Sequence, residues 1–161
     1  MILFISGGVR SGKSSLAEKM ALQFHHVQRA TALYYIATTK RNNDEEMLER
    51  IKRHQASRNQ EWTTIEEPYH IDEQMKKLKS QSVLLIDCLT VWSSNVLFSE
   101  NKTCDTMLDR IEKAVQIAKD KKMTVILVSN DLNEDLPIQD NDVQNYVYSL
   151  EAVHKCKVSY C

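Results

Sequence analysis

Three glycines near the start of the chain constrain its fold more than any other feature. They are Gly7, Gly8 and Gly12, and the 161-residue sequence contains no others. At the average usage of ~7 %, a chain of this length would carry about eleven. Because glycine permits backbone conformations and close approaches that a Cβ blocks, the cluster predicts one loop whose backbone wraps tightly around a ligand.

The eight residues GGVRSGKS fit the pattern G-x-x-x-x-G-K-[ST] of a phosphate-binding P-loop. In such a loop the backbone N–H groups point at the phosphates, and the helix that follows directs its positive end at the same anion. Lys13 would reach the β- and γ-phosphates, and the Ser14 hydroxyl would bind Mg²⁺. The nucleotide-binding residues predicted here are Gly7, Gly8, Val9, Arg10, Ser11, Gly12, Lys13 and Ser14. A chance match is the alternative, but the apolar run before the motif and the helical pattern after it are the context that a P-loop requires.

Apolar runs alternate with helical patterns along the chain. The runs lack polar alternation, which favours strands buried on both faces of a sheet, and they cover residues 2–6, 33–38, 83–87, 124–129 and 157–160. Helical spacing links Leu16, Met20 and Phe24, then Met47, Leu48 and Ile51, then the apolar positions of residues 107–118. This order predicts an α/β fold, a three-layer P-loop NTPase sandwich of the RecA-like type. Its sheet would be mainly parallel, with helices on both faces, in a single domain over residues 1–161.

Composition excludes several classes of protein. The sequence is 42 % hydrophobic and 27 % charged, with a formal net charge of −1, which predicts no broad attraction to nucleic acid. No apolar run approaches the ~18 residues of a membrane span, and the start does not resemble a signal peptide. The cysteines are scattered, which disfavours a zinc site and indicates reduced thiols in a cytoplasmic protein. They are Cys88, Cys104, Cys156 and Cys161.

A carboxylate that could hold Mg²⁺ follows the apolar run VLLI. P-loop NTPases place such an acid at the end of another central strand, and Asp87 is at that position. Its alternative role is that of a strand-end residue that starts a turn. Asp131 is the next candidate, but Asn130 separates it from the run TVILVS.

One histidine of five stands in an informative setting. His54 shares a predicted helical face with Met47 and Ile51, and Arg58 lies four residues further on. A neutral imidazole can attack phosphorus, and a guanidinium can hold phosphate oxygens. From the residues alone, packing is the more frequent role for such a histidine, so both roles remain open.

Several blocks, in order, resemble a known family. They are ILFISGGVRSGKSSLAE, YYIAT, DEEMLERIKRHQASRNQEWTTIEEP, VLLIDCLTVWSSNVLF and TVILVSND. The chain resembles the bifunctional adenosylcobinamide kinase/adenosylcobinamide-phosphate guanylyltransferase family of cobalamin biosynthesis over roughly residues 1–132. The central block carries the family's R-I-x-x-H-x-x-x-R spacing, which makes the resemblance more specific than a P-loop alone.

The resemblance implies a reaction and a set of site residues. Such enzymes phosphorylate adenosylcobinamide, a corrinoid, with a nucleoside triphosphate (ATP or GTP), and then transfer GMP from GTP through a GMP–histidine intermediate. By motif position His54 would be the nucleophile, with Lys13 as the second catalytic residue, and Ser14 and Asp87 would hold Mg²⁺. Beyond the P-loop, the implied nucleotide contacts are Ala37, Thr38, Thr39, Gln55, Ala56, Ser57, Arg58, Glu66 and Asp87. Glu66 could equally be an ordinary solvated acid, and residues 37–39 a plain strand end. The resemblance also implies a homo-oligomer, a trimer.

The sequence departs from the family pattern after Asn130. The family continues E-V-G-x-G-x-V-P, whereas this chain has Asn133 and Asp135 in place of the two glycines. The departure concerns the corrinoid substrate more than nucleotide binding, so two alternatives stay open. One is a small-molecule P-loop kinase with another acceptor, and the other is a non-catalytic nucleotide-binding paralogue. The presence of His54, Arg58 and Glu66 together favours the bifunctional enzyme, because a plain kinase needs no nucleophilic histidine.

Overall fold

The computed structural model describes residues 1–8, 10–40 and 61–130. Predictions about Val9, about residues 41–60 with His54, and about residues 131–161 with the run KVSY lie outside the described residues. The strands are β1 (Ile2–Gly7), β2 (Leu33–Ala37), β3 (Trp62–Glu66), β4 (Val83–Asp87) and β5 (Thr124–Asn130). The helices are α1 (Lys13–Gln28), α2 (Ile71–Lys77), α3 (Leu89–Ser94), which a π-helical turn (Asn95–Ser99) continues, and α4 (Cys104–Asp120).

The described strands form one sheet in the order β1-β5-β4-β2-β3, and every pairing is parallel. Parallel strands place all their carboxyl ends at one edge, where open α/β sheets bind ligands. The register aligns Gly7 with Asn130, and Ala37 with both Asp87 and Glu66. The α/β prediction with a mainly parallel sheet is confirmed, and four of the predicted strands are present at or within one residue of their expected ends.

Alternate residues of each strand build two cores on opposite faces of the sheet. Leu33 and Tyr35 of β2 pack with α1, whereas Tyr34 and Ile36 pack with α2, α3 and α4. Helices therefore cover both faces, as the unbroken apolar runs predicted. Val83 and Leu85 of β4 belong to the α1 core, and by the same alternation Asp87 lies on the α1 face of the sheet.

The prediction for the inward face of α1 was partly wrong. Met20 and Phe24 pack against the core, but Leu16 is 52 % exposed. The fully buried positions are Ala17 and Ala21, which lie four and eight residues after the buried Lys13. Because the P-loop requires Lys13 to point inward, the residues at i+4 and i+8 share its face, and their small side chains let α1 approach the sheet closely.

Three elements were not predicted. β3 is an edge strand, and its residues 62–66 were interpreted as part of a motif. The short helices α2 and α3 consist of polar or mixed sequence without a clear helical pattern. The Glu67 carboxylate organises the segment that leads into α2, because its Oε1 accepts hydrogen bonds from the N–H groups of Tyr69 and His70 at 3.0 and 2.9 Å. Pro68 lies in this segment, between β3 and α2.

Candidate functional site: the carboxyl edge of the sheet

The glycine loop has the geometry that its sequence predicted. Gly12 has φ +80° and forms the N-cap of α1, a conformation that side chains rarely adopt. A Cβ at Gly7 would lie 3.1 Å from Ser11 Oγ, which is tighter than ordinary contact. The Ser11 N–H donates to Gly8 O at 3.3 Å and closes the loop. Gly12 is therefore favoured by its positive φ, whereas a side chain at Gly7 would require Ser11 Oγ to move.

Lys13 turns into the loop that precedes it. Its side chain is buried, with the residue only 9 % exposed, and Nζ donates to Gly8 O at 2.8 Å. The loop thus curves around an ammonium group at the start of α1. Ser14 lies in the same first helical turn and is half-buried. A cation and a helix N-terminus at one point favour an anionic ligand.

Asp87 is the last residue of β4, two strands from the P-loop strand. The Tyr35 hydroxyl, on neighbouring β2, donates to Asp87 Oδ2 at 3.0 Å. Burial raises the pKa of the adjacent Cys88 thiol, and the negative charge of Asp87 raises it further, while the Val91 N–H and the Lys13 charge act in the opposite direction. Because the strands are parallel, the junction of β1 and α1, which carries Lys13, and the end of β4, which carries Asp87, lie at the same edge of the sheet.

The end of β2 is bound tightly to the end of β4. Thr38 is fully buried, and its Oγ1 donates to Cys88 O at 2.8 Å and accepts from Cys88 N at 2.9 Å. Its own N–H donates to Asp87 O at 3.2 Å. The predicted nucleotide contact Thr38 therefore lies at the site, but its hydroxyl is already bonded to the β4 backbone. Ala37 and Thr39 beside it are half-buried.

Glu66 ends β3 at the far side of the site, exposed and in register with Ala37. Buried side chains hold the segment that follows it. Asn95 Nδ2 donates to Thr38 O at 2.8 Å and to Pro68 O at 3.2 Å, and so joins the ends of β2 and β3. The Tyr69 carbonyl accepts from Trp92 Nε1 at 2.8 Å and from Arg110 Nη1 at 3.2 Å.

The described candidates lie along one edge. From β1 to β3 there are four strand spacings of ~4.8 Å, or ~19 Å in all. The P-loop residues Gly7, Gly8, Arg10, Ser11, Gly12, Lys13 and Ser14 are at one end, Asp87 is near the centre, and Ala37, Thr38, Thr39 and Glu66 follow. Val9, His54, Gln55, Ala56, Ser57 and Arg58 lie outside the described residues. Sequence reasoning missed Tyr35 and Asn95, because a tyrosine in an apolar run and an asparagine in a helix carry no signal of these partners.

The donor set at this edge suits Mg²⁺ rather than a metal held by protein ligands alone. Within residues 1–8, 10–40 and 61–130, no three His, Cys, Asp or Glu side chains are grouped to hold a metal. Mg²⁺ is commonly bound by one or two protein oxygens together with substrate phosphates and water. The Asp87 carboxylate and the Ser14 hydroxyl are oxygen donors of this kind. In the same residues, no helix is long and apolar enough to cross a bilayer.

Comparison with known proteins identifies the family. The family model described as "Cobinamide kinase / cobinamide phosphate guanyltransferase" matches residues 3–156. The chain is 35 % identical over 128 residues to the "Bifunctional adenosylcobalamin biosynthesis protein CobP" of Pseudomonas aeruginosa, covering 79 % of this chain and 69 % of that protein. It is 34 % identical over 99 residues to the "Bifunctional adenosylcobalamin biosynthesis protein CobU" of Escherichia coli and 34 % over 100 residues to that of Salmonella typhimurium. These two alignments cover 61 % and 62 % of this chain, and they span about half, 51 %, of each relative. The chain therefore belongs to the cobinamide kinase / cobinamide phosphate guanyltransferase family, a family of transferases, as its motifs predicted.

Proposed function

We propose that this chain phosphorylates adenosylcobinamide with a nucleoside triphosphate and then transfers GMP from GTP to the phosphorylated product. The observation that carries the proposal is the placement of the P-loop and Asp87 at one edge of the sheet, with Lys13 buried between the loop and the α1 core. Family membership supplies the pair of reactions and the corrinoid acceptor.

In the kinase step the loop N–H groups and Lys13 would bind the β- and γ-phosphates. Lys13 donates one of the three N–H groups of its ammonium to Gly8 O, which leaves N–H groups for phosphate oxygens. Ser14 and Asp87 would hold Mg²⁺, which neutralises charge on the transferring group when it is bound. The acceptor hydroxyl attacks the γ-phosphorus, and the bond between that phosphorus and the β–γ bridging oxygen breaks. The nucleoside diphosphate leaves with the electron pair, and the hydroxyl proton passes to solvent.

In the second step His54 would act as the nucleophile. Its neutral imidazole attacks the α-phosphorus of GTP, a P–N bond forms, and the P–O bond to pyrophosphate breaks. The phosphate of the first product then attacks the same phosphorus and releases the histidine. Arg58, Gln55, Ala56 and Ser57 would contact the nucleotide, and Ala37, Thr39 and Glu66 would do so from the described edge. The support for these roles is their position in the motif.

Intact mass after incubation with GTP and Mg²⁺ tests this proposal. Wild-type protein should gain the mass of one GMP, and His54→Asn should not. His70→Asn is the matched control, because His70 is a surface histidine at the start of α2 that pairs with Glu100 at 3.4 Å. The rate of adduct formation should rise with pH through the imidazole range near ~6.5, since only the neutral ring has a free lone pair. A wild-type chain that never gains GMP would overturn the guanylyltransferase step.

A kinase with another acceptor is the second candidate. The observation that favours it is the departure from the family pattern after Asn130, where Asn133 and Asp135 replace two glycines. Turnover of a nucleoside triphosphate without a GMP adduct would support it. Nucleotide binding without any turnover would instead support a non-catalytic paralogue.

The proposal includes three further properties, of which only the assembly state comes from the resemblance. The chain forms a single nucleotide-binding domain over residues 1–161, works in the cytoplasm and assembles as a homotrimer. Scattered cysteines support a reducing compartment. Sedimentation of the purified protein measures the assembly state, and a monomer at working concentration would contradict it.

A further inference from the structure

Three hydrogen-bonding groups of β2 reach across to the end of β4. The Tyr35 hydroxyl donates to Asp87 Oδ2 at 3.0 Å, and the Thr38 N–H donates to Asp87 O at 3.2 Å. Thr38 Oγ1 exchanges two hydrogen bonds with the Cys88 backbone, at 2.8 and 2.9 Å. These groups, here named the β2 clasp, therefore hold the carboxylate, the backbone carbonyl and the following peptide unit of one strand end.

We infer that Tyr35 and Thr38 are positioning residues that orient Asp87 toward the divalent cation of a bound metal–nucleotide complex. The inference rests on the proposed function, which makes Asp87 the cation's carboxylate. A carboxylate at a strand end rotates about two bonds, and a charge-assisted hydrogen bond to one oxygen removes that freedom. Ionised carboxylates accept at four lone-pair sites, so a hydroxyl on Oδ2 leaves capacity for a cation. Outer-shell partners of this kind commonly set metal affinity.

The neighbouring tyrosine shows that packing alone does not require this contact. Tyr34 and Tyr35 are similarly buried, at 8 % and 6 % exposed, on opposite faces of the sheet. The Tyr34 hydroxyl accepts a long hydrogen bond, 3.4 Å, from the Lys79 N–H, whereas the Tyr35 hydroxyl donates to a carboxylate. The two tyrosines of β2 therefore differ in their partners: the Tyr34 hydroxyl bonds to a backbone N–H on one face, and the Tyr35 hydroxyl bonds to the Asp87 carboxylate on the other.

Thr38 holds the backbone after Asp87, as Tyr35 holds the Asp87 carboxylate. It is fully buried, so its hydroxyl must be bonded within the protein, and both of its bonds go to Cys88. Asn95 in turn holds the Thr38 carbonyl at 2.8 Å. Thr38 thus acts on the nucleotide site through Asp87 rather than through its own hydroxyl, although its position suggested a direct contact.

The test measures how much Mg²⁺ increases the affinity for a non-hydrolysable GTP analogue. Calorimetric titrations with EDTA and with Mg²⁺ give two dissociation constants, and their ratio is the metal gain. Tyr35→Phe should lower the metal gain about tenfold, as loss of an outer-shell partner does, with the metal-free affinity within about twofold of wild type. Tyr34→Phe is the matched control and should keep the wild-type gain. Asp87→Asn should abolish the gain.

Each other outcome has a defined meaning. An unchanged metal gain in Tyr35→Phe overturns the inference, and so does a larger gain, which would mean that the hydroxyl competes with the cation. An equal loss in Tyr34→Phe would show general loosening of the strand and also overturn it. A wild-type protein without any metal gain would overturn the proposed function together with the β2 clasp.

A second pair of variants keeps the inference testable if Tyr35→Phe folds poorly. Thr38→Ser keeps the hydroxyl and should keep the metal gain, whereas Thr38→Val removes it and should lower the gain. Thermal melting of both variants measures any loss of stability. Equal metal gains in folded Ser and Val variants would overturn the role of Thr38.

Discussion

The two faces of the sheet differ in how their helices are placed. On one face α1 buries small side chains, Ala17 and Ala21, and presents Lys13 to the P-loop. On the other face α4 buries Met107 and Ile111 in the larger apolar cluster. Short side chains allow close contact but bury little apolar area. The α1 face therefore serves mainly to place the Lys13 ammonium at the loop, whereas the α4 face supplies more of the hydrophobic stabilisation. The difference implies that stability and nucleotide binding can be changed separately.

The largest expected change in stability is on the α4 face. Met107 is fully buried, so Met107→Ala should lower the free energy of unfolding by about 2–5 kcal/mol through lost burial and a residual cavity. Nucleotide affinity of the folded fraction should stay at the wild-type value, because the residue lies in the cluster away from Asp87. Urea unfolding and a nucleotide titration check the two parts, and a matching loss of affinity would contradict the separation.

The same substitution on both faces gives the sharpest contrast. Ala21→Leu inserts a large side chain at a fully buried alanine and should cost about 1–3 kcal/mol, whereas Ala114 lines an apolar cavity, so Ala114→Leu should cost less. Ala21→Leu should also weaken nucleotide binding, since it displaces α1 and the Lys13 at its start. Ala114→Leu should leave binding unchanged. If both variants bind nucleotide equally well, the placement of α1 against the sheet does not affect nucleotide binding by the loop.

The smallest expected effect concerns a partly buried ion pair behind the site, between Glu100 and Arg110. Burial tends to raise the pKa of Glu100, but the hydrogen bond and charge of Arg110, with the charge of His70, outweigh it and hold the pKa of this carboxyl below its usual range. A lowered folded-state pKa stabilises the protein above the unfolded value, and this contribution is lost as the pH falls through the folded value. Glu100→Gln should therefore be less stable than wild type near pH ~7, and the difference should shrink as the pH falls through the folded-state pKa of Glu100.

The control for this pH dependence is an exposed pair on the same helix. Asp109 and Lys113 are both 55 % exposed, so Asp109→Asn should change stability little at any pH. Urea unfolding from pH 3 to 7 measures both variants. If the stability difference between Glu100→Gln and wild type does not shrink at low pH, the contribution of Glu100 comes from its packing and not from its charge.

Local patterns predicted most of the described fold, and their failures have physical causes. Strands buried on both faces stand out as unbroken apolar runs, which is why β1, β2, β4 and β5 were found. β3 is an edge strand with exposed threonine and glutamate, so its sequence WTTIE resembles a loop or motif segment. Leu16 followed helical spacing, yet the inward direction of Lys13 fixed the buried face of α1 elsewhere.

The site could be predicted where one loop or one strand end carries it. Gly7, Gly12, Lys13 and Asp87 stand out in the sequence because a phosphate loop and a strand-end acid have characteristic residue types and spacing. Tyr35 and Thr38 were not assigned their contacts with the end of β4, because each partner is about fifty residues away in sequence. Such contacts depend on strand order, and a single sequence does not reveal that β2 lies beside β4.

Nucleotide titration of Lys13→Ala tests the central claim most directly. If the glycine loop binds the phosphates, the folded variant should bind a GTP analogue about 10–100-fold more weakly, since a charge-assisted hydrogen bond contributes about 1.5–3 kcal/mol. Lys19→Ala, an exposed lysine on the same helix, should bind like wild type. Circular dichroism confirms folding of each variant. Unchanged affinity in folded Lys13→Ala would contradict the assignment of this loop as the nucleotide site.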